Sequence, residues 1–193
     1  MSYAIYTTKA IVCGSKDSKT ADRSYLLFTK DAGMIYATAR SVREERSKQR
    51  HSLQDFAQIK VSLVQGKSGW RIGSVEQYKN PYYEASERVN RITVVRIVRT
   101  LRRFIHGGDE NMLVFQDAWQ VLKSATEIKT TELDKLYTIF TARLLHQLGY
   151  LPITPAIQEA FVVDFNEAIK NADDKLCESL AGHIKIAENS SHL

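Results

Sequence analysis

Short hydrophobic segments separated by turn residues occupy the first eighty residues of the chain. β-Branched and aromatic residues are frequent in these segments, and glycine, aspartate and serine separate them, which is typical of strands joined by tight turns. Asp31-Ala32-Gly33 has the composition of a hairpin turn. Five segments therefore predict strands: residues 4–14, 24–29, 34–39, 58–64 and 70–78.

The last two predicted strands show the clearest alternation of polar and hydrophobic residues. Ile59, Val61 and Leu63 fall on one face of the first, and Trp70, Ile72 and Ser74 fall on one face of the second. The segment between them, Gly66-Lys67-Ser68-Gly69, resembles the end of a phosphate-binding P-loop. The earlier glycine of that motif is missing, and a strand rather than a helix follows, so we interpret the segment as a hairpin turn.

A helical period replaces the strand pattern after about residue 82. Val94, Val98, Leu101 and Ile105 are spaced by four, three and four residues, and Gly107-Gly108 ends this helix. Further helices are predicted through residues 111–122, 131–148 and 165–180, with a frayed tail at 187–193. The fold class is therefore α+β, with an OB-type β-barrel over residues 1–80 and an α-helical domain over residues 81–193.

The positive charge is concentrated in the predicted barrel. Residues 1–80 contain 14 Lys and Arg against 7 Asp and Glu, whereas the remaining residues contain 13 against 15. A basic module of this kind attracts polyanions, because neutralising phosphates releases counterions. A basic surface without a ligand is the alternative.

Most of the informative cations lie in the segment between the third and fourth predicted strands. This segment is too charged to enter a core, so it must be a surface loop. Guanidinium groups there are suited to bidentate contacts with phosphates, although Glu44 and Glu45 also allow a solvated loop with local ion pairs. We favour DNA contact by Arg40, Arg43, Arg46, Lys48 and Arg50.

OB barrels hold single strands by combining charge with aromatic rings on which bases stack. Tyr36, which precedes the basic loop, is the preferred platform, and Lys67 in the hairpin turn is a candidate backbone contact. Large aromatic residues inside strands usually pack in a core, and we expect this of Trp70 and Phe28. The complete set of candidate platforms is Tyr6, Tyr25, Tyr36, Trp70 and Tyr78.

The first predicted helix has a second cluster of cations and uses arginine almost exclusively. Arginine suits the recognition of carboxylates and phosphates, so this helix is a candidate DNA or partner surface. Ordinary solvation of a helix is the alternative. The candidates are Arg91, Arg99, Arg102 and Arg103, with Arg88 beside them.

No pattern of residues indicates an enzyme. The chain has neither a GxSxG nor an HExxH motif, and Cys13 and Cys177 lie far from each other and from any ligand-spaced histidine. Asp109-Glu110 and Asp173-Asp174 are typical of helix ends. No apolar run is long enough for a membrane span, so we expect a cytoplasmic protein without a cofactor.

Several motifs taken in order resemble the RecO family of DNA repair proteins. They are Thr8 to Val12, Thr20-Ala21-Asp22-Arg23, Leu27 to Ile35, Ala39-Arg40, Ser52-Leu53-Gln54 and the Arg143 to Pro152 run. The resemblance covers about three quarters of the chain. Many relatives carry a four-cysteine zinc module after the Leu-Gly-Tyr segment, but this chain has no cysteine in residues 151–165, so zinc is not expected.

The resemblance implies a recombination mediator. Such a protein binds single- and double-stranded DNA, anneals complementary strands and helps load RecA onto strands coated by single-strand-binding protein. RecR and the acidic C-terminal tail of single-strand-binding protein would be its partners. The resemblance also adds Arg23 to the DNA-contact candidates and implies association with the bacterial nucleoid. An OB-fold RNA-binding or ribosome-associated module, and a nuclease with an unrecognised metal site, are the alternatives.

Overall fold

A computed structural model describes residues 5–18, 20–66, 69–108 and 111–191. Lys67, one of the predicted contacts, lies outside these ranges. By the density of its contacts the chain divides into two compact units. The first comprises residues 1–84 and 105–115, and the second comprises residues 85–104 and 116–193.

The first unit contains a closed five-stranded barrel with the order β1-β2-β3-β5-β4. Neighbouring strands are antiparallel except β3 and β5, which close the barrel through the parallel pairs Ala37 with Trp70 and Thr38 with Arg71. Closure leaves no long unpaired sheet edge. The strands are β1 (Ile5–Asp17), β2 (Arg23–Thr29), β3 (Gly33–Ala39), β4 (Gln58–Gly66) and β5 (Gly69–Lys79). The predicted OB-type barrel is confirmed.

Alternation along β4 fills the barrel core as predicted. Ile59, Val61 and Leu63 are buried inside the barrel. Val42 and Leu53 join the same core although they belong to the segment between β3 and β4, which also contains the short helix α1 (Gln49–Ser52). This charged segment is therefore attached to the barrel by two apolar side chains.

A bulge in β5 overturns one detail of the predicted pattern. Val61 pairs with Val75 and Leu63 pairs with Ile72, so Gly73 and Ser74 together oppose a single residue, Ser62. The extra residue reverses the alternation, and Val75 rather than Ser74 packs against the core. The prediction that Ser74 shares the face of Ile72 is therefore wrong.

Part of the outer surface of the barrel is covered by residues 105–108 and 111–115 of the same unit. The Phe28 and Phe115 rings are 5.4 Å apart between centroids, and the Met34 amide donates to the Gly107 carbonyl at 3.0 Å. Phe28 and its β1 partner Ile11 are fully buried. A ligand can therefore reach only the remaining parts of the barrel wall.

The helices begin with α2 (Pro81–Glu84) and α3 (Arg88–Phe104). The predicted apolar face of α3 is confirmed, because Val94, Val98 and Leu101 are buried. The later elements are α4 (Met112–Glu127), a 3-10 turn (Thr130–Glu132), α5 (Leu133–Gln147), α6 (Glu159–Val162), α7 (Phe165–Asn171) and α8 (Asp174–Ser191).

The predicted fourth helix is wrong in its extent. Helix α7 ends at Asn171, and Asp173 starts α8 by accepting a hydrogen bond from the Leu176 amide at 2.7 Å. Residues 187–191 continue α8 rather than fraying, and Ala187 is buried. The aspartate pair at 173–174 thus separates two helices that the sequence pattern had merged.

A buried arginine connects α5 to the segment that follows it. Arg143 donates hydrogen bonds to the carbonyls of Ala160, at 2.8 Å, and Val163. Its Nη1 lies 3.6 Å from Asp117 Oδ1. Burial raises the pKa of the Asp117 carboxyl, and the attraction of Arg143 opposes this shift. The cost of burying the carboxylate charge is the largest influence on this pKa.

Candidate nucleic-acid interface

Residues 40–53, which we call the basic loop, are fixed to the barrel at several points besides Val42 and Leu53. The Ser41 amide donates to Asp22 Oδ1 at 2.9 Å, and the Arg43 amide donates to the Ala21 carbonyl at 3.1 Å. Gln49 Nε2 donates to the carbonyl of Gly73 in the β5 bulge. These bonds hold the backbone of the loop against the barrel, so its cationic side chains extend from fixed positions.

The structure brings four of the predicted cations together on this loop as exposed side chains: Arg40, Arg46, Lys48 and Arg50. Within the described residues none of the four takes part in an ion pair. Glu44 and Glu45 are also exposed and do not pair with them there. The local ion pairs that the alternative interpretation required are therefore not formed in the part of the loop that the structure describes.

Arg23 and Arg43 differ from the other four cations because they share a carboxylate. Arg23 Nε lies 2.9 Å from Asp17 Oδ1, and Arg43 Nη1 lies 3.5 Å from Asp17 Oδ2. The hydrogen bond to Asp17 raises the pKa of the Arg23 guanidinium. Arg43 also donates to the Thr20 carbonyl at 3.1 Å. These two arginines are partly neutralised within the protein.

Tyr36 has the exposure that a stacking platform needs. Its side chain on β3 is 57% exposed, and Lys16 Nζ lies 5.1 Å from its ring centroid. Tyr25 is 1% exposed and fills the barrel core, so it was wrongly considered as a platform. Phe28 is buried and Trp70 packs against the core, as expected of large aromatic residues within strands.

Two cations near this surface were missed by the sequence analysis. Lys16 escaped because the first strand was predicted to end at Gly14, whereas β1 passes through a bulge after Val12 and continues to Asp17. Arg71 is exposed and pairs with Thr38 where the barrel closes. Strand alternation predicts that Arg71 faces outward, because it lies between the inward-facing Trp70 and Ile72.

The predicted arginines of α3 differ in their contacts. Arg91 donates to the carbonyls of Ala85 and Ser86, both at 3.0 Å, and so stabilises the start of its own helix. Arg103 Nη1 lies 3.1 Å from Glu188 Oε1. Arg99 and Arg102 are exposed and form no ion pair among the described residues.

No three His, Cys, Asp or Glu side chains in the described ranges are grouped in a way that could hold a metal ion. In the same ranges, no helix combines the length and apolar character that crossing a membrane requires.

Comparison with known proteins agrees with the architecture of the barrel. The family described as Recombination protein O N terminal matches residues 1–80, which include all five strands. A search of curated proteins found no match. The matched segment contains the basic loop, Tyr36, and Asp17 with its two arginine partners. The amino-terminal barrel of this chain is therefore similar to the amino-terminal domain of Recombination protein O.

Proposed function

We propose that the barrel binds single- and double-stranded DNA through the basic loop and Tyr36, and that the protein anneals complementary strands. The observation that carries the proposal is the group of four exposed cations, Arg40, Arg46, Lys48 and Arg50, on a loop fixed to the barrel. Such cations attract phosphates without reading sequence. Arg23, Arg43 and Lys67 remain proposed contacts.

Tyr36 gives the proposed site a preference for unpaired strands. A stacked base can lie on a tyrosine ring only after it has left the double helix, whereas phosphates are available in both forms. Lys16, next to the ring, and Arg71 supply further charge for the backbone. The site brings strands together and needs no covalent chemistry of its own.

We further propose that the helical unit receives the acidic C-terminal tail of single-strand-binding protein. A cleft of about 270 Å³ lies between α3, α5 and α8. Arg96, which also pairs with Asp134, and Lys185 supply positive charge at its wall beside Glu188. Tyr137 and Ile184 supply apolar surface. Binding of the tail would bring the protein to coated strands, where it helps to load RecA. RecR is the other proposed partner, and exposed Arg99 and Arg102 are candidate contacts.

A strand-annealing assay with and without single-strand-binding protein tests the proposal. We expect the chain to accelerate pairing of complementary strands in both conditions. Substituting Arg46→Glu, Lys48→Glu and Arg50→Glu together should abolish the acceleration. The matched control is the triple substitution of Lys129, Lys170 and Lys175 to Glu, which makes the same charge change on exposed residues outside the barrel.

The result that would overturn the proposal is annealing by the basic-loop variant at the rate of the control. Binding to single-stranded DNA and RNA of equal length, compared across salt concentrations, separates DNA recognition from an RNA-binding module. Preferential binding of RNA would favour the second class.

A further inference from the structure

We propose that the outer face of β1, β4 and β5 carries a second site for a nucleic-acid strand, formed by Lys9, Lys60 and Tyr78. This inference rests on the proposed function of the barrel, and it adds a site that the basic loop does not include. The new site would allow one chain to hold two strands at once.

Two lysines lie directly opposite each other on neighbouring strands of this face. Lys9 on β1 and Lys60 on β4 are cross-strand partners, and both side chains are exposed. Like charges directly opposite one another destabilise a sheet. Two ammonium groups in this arrangement can contact one bound phosphate, which would offset the repulsion between them.

An exposed aromatic ring lies beside these lysines. Tyr78 on β5 is 48% exposed, and Lys9 Nζ lies 5.8 Å from its ring centroid. The same combination occurs at Tyr36, whose ring centroid is 5.1 Å from Lys16 Nζ. An exposed ring with an adjacent ammonium group can stack a base while contacting the neighbouring phosphate.

The residues next to the lysine pair add charges of both signs. The Lys30 amide donates to the Lys9 carbonyl at 2.9 Å, which places the Lys30 backbone beside Lys9. Glu76 is the cross-strand partner of Lys60 on β5. Asp31 accepts a hydrogen bond from a threonine hydroxyl of β1 at 2.6 Å, so part of its acceptor capacity is used within the protein.

The length of β1 separates this face from Tyr36. Lys16, the cation beside Tyr36, is next to the last residue of β1, whereas Lys9 lies near its start, so the two lysines are roughly 20 Å apart along the strand. A strand bound at the basic loop therefore leaves Lys9 and Lys60 accessible to a second strand.

Co-occupancy of two labelled oligothymidylate strands tests the proposal without base pairing between them. The experiment measures the number of strands bound per full-length chain by energy transfer between donor- and acceptor-labelled strands. For the unchanged protein we expect two strands per chain. The K9E/K60E variant should bind the first strand within about twofold of the unchanged protein and the second at least about tenfold more weakly.

The control variant K129E/K175E makes the same charge change outside the barrel and should retain both strands. Equal second-strand affinity in K9E/K60E and in this control would overturn the second site, and so would a single strand per unchanged chain. Failure of the unchanged protein to bind any strand would instead overturn the proposed function. If circular dichroism shows that K9E/K60E is unfolded, K9A/K60A and Y78A provide the same comparison.

Discussion

Arg23 Nε donates a hydrogen bond to Asp17 Oδ1 at 2.9 Å, and the other oxygen of this carboxylate lies 3.5 Å from Arg43 Nη1. Asp17 thus occupies a position between two guanidinium groups where a DNA phosphate would make similar contacts. The carboxylate therefore competes with a phosphate for both arginines.

We predict that Asp17→Asn tightens binding of single-stranded DNA by about two- to fivefold, because it removes an exposed competing charge. The measurement is fluorescence anisotropy at low and moderate salt. Asp174→Asn, which neutralises a carboxylate paired with Lys135 in the helical unit, is the control for net charge. Weaker binding by the Asp17 variant would show that Asp17 positions the arginines instead of competing for them.

Reversal of Arg46, Lys48 and Arg50 should change the salt dependence of binding as well as its strength. Each lost phosphate contact lowers the slope of log affinity against log salt by about 0.7 for single strands, so three lost contacts lower it by about 2. A titration at four salt concentrations gives the slope. An unaltered slope would remove these three residues from the interface.

Tyr36→Ala should weaken binding of unpaired DNA by about tenfold or more, since stacking of one base contributes about 1–3 kcal/mol. Tyr36→Phe should retain most of the affinity, because its ring is preserved. Tyr83→Ala removes another exposed tyrosine of the same unit and serves as the control. Equal losses for duplex and single strands would argue against base stacking at Tyr36.

Gly73→Ala should destabilise the barrel through a single contact. A Cβ at this position would lie 2.8 Å from Ser62 Oγ, which accepts a hydrogen bond from the Ser74 amide at 2.7 Å. The hydroxyl would have to rotate away, so we expect a loss of about 1 kcal/mol in the free energy of unfolding. Urea denaturation of G73A, S62A and the double variant measures the coupling, and additive losses would contradict the contact.

The stability contributed by Asp117 should decrease as pH rises. Burial raises the pKa of its carboxyl in the folded protein, so the contribution is fully present below the unfolded value of about 4 and is lost as pH rises through the folded value. The free energy of unfolding of the unchanged protein minus that of Asp117→Asn should therefore fall as pH rises above about 4. A rising difference would mean that attraction to Arg143 dominates.

The sequence predicted the barrel because its strands are short apolar segments separated by turn residues, with clear alternation in the last two. This pattern failed at Ser74, where the Gly73 bulge reverses the faces, and at Lys16, where β1 continues through a bulge. The basic loop was predicted correctly as exposed, but its attachment by Val42 and Leu53 depends on packing that no local pattern contains. The pairing of Asp17 with Arg23 and Arg43 likewise depends on tertiary structure. The boundary between residues 80 and 81 stays a prediction.

The return of residues 105–115 to the barrel unit has a consequence for biosynthesis. Phe28 emerges from the ribosome about ninety residues before Phe115, which covers it in the finished protein, and Ile11 emerges earlier still. During that interval the nascent barrel exposes an apolar strip to water. A fragment ending at residue 80 would keep this strip permanently and should aggregate, whereas one extended to residue 115 should remain in solution.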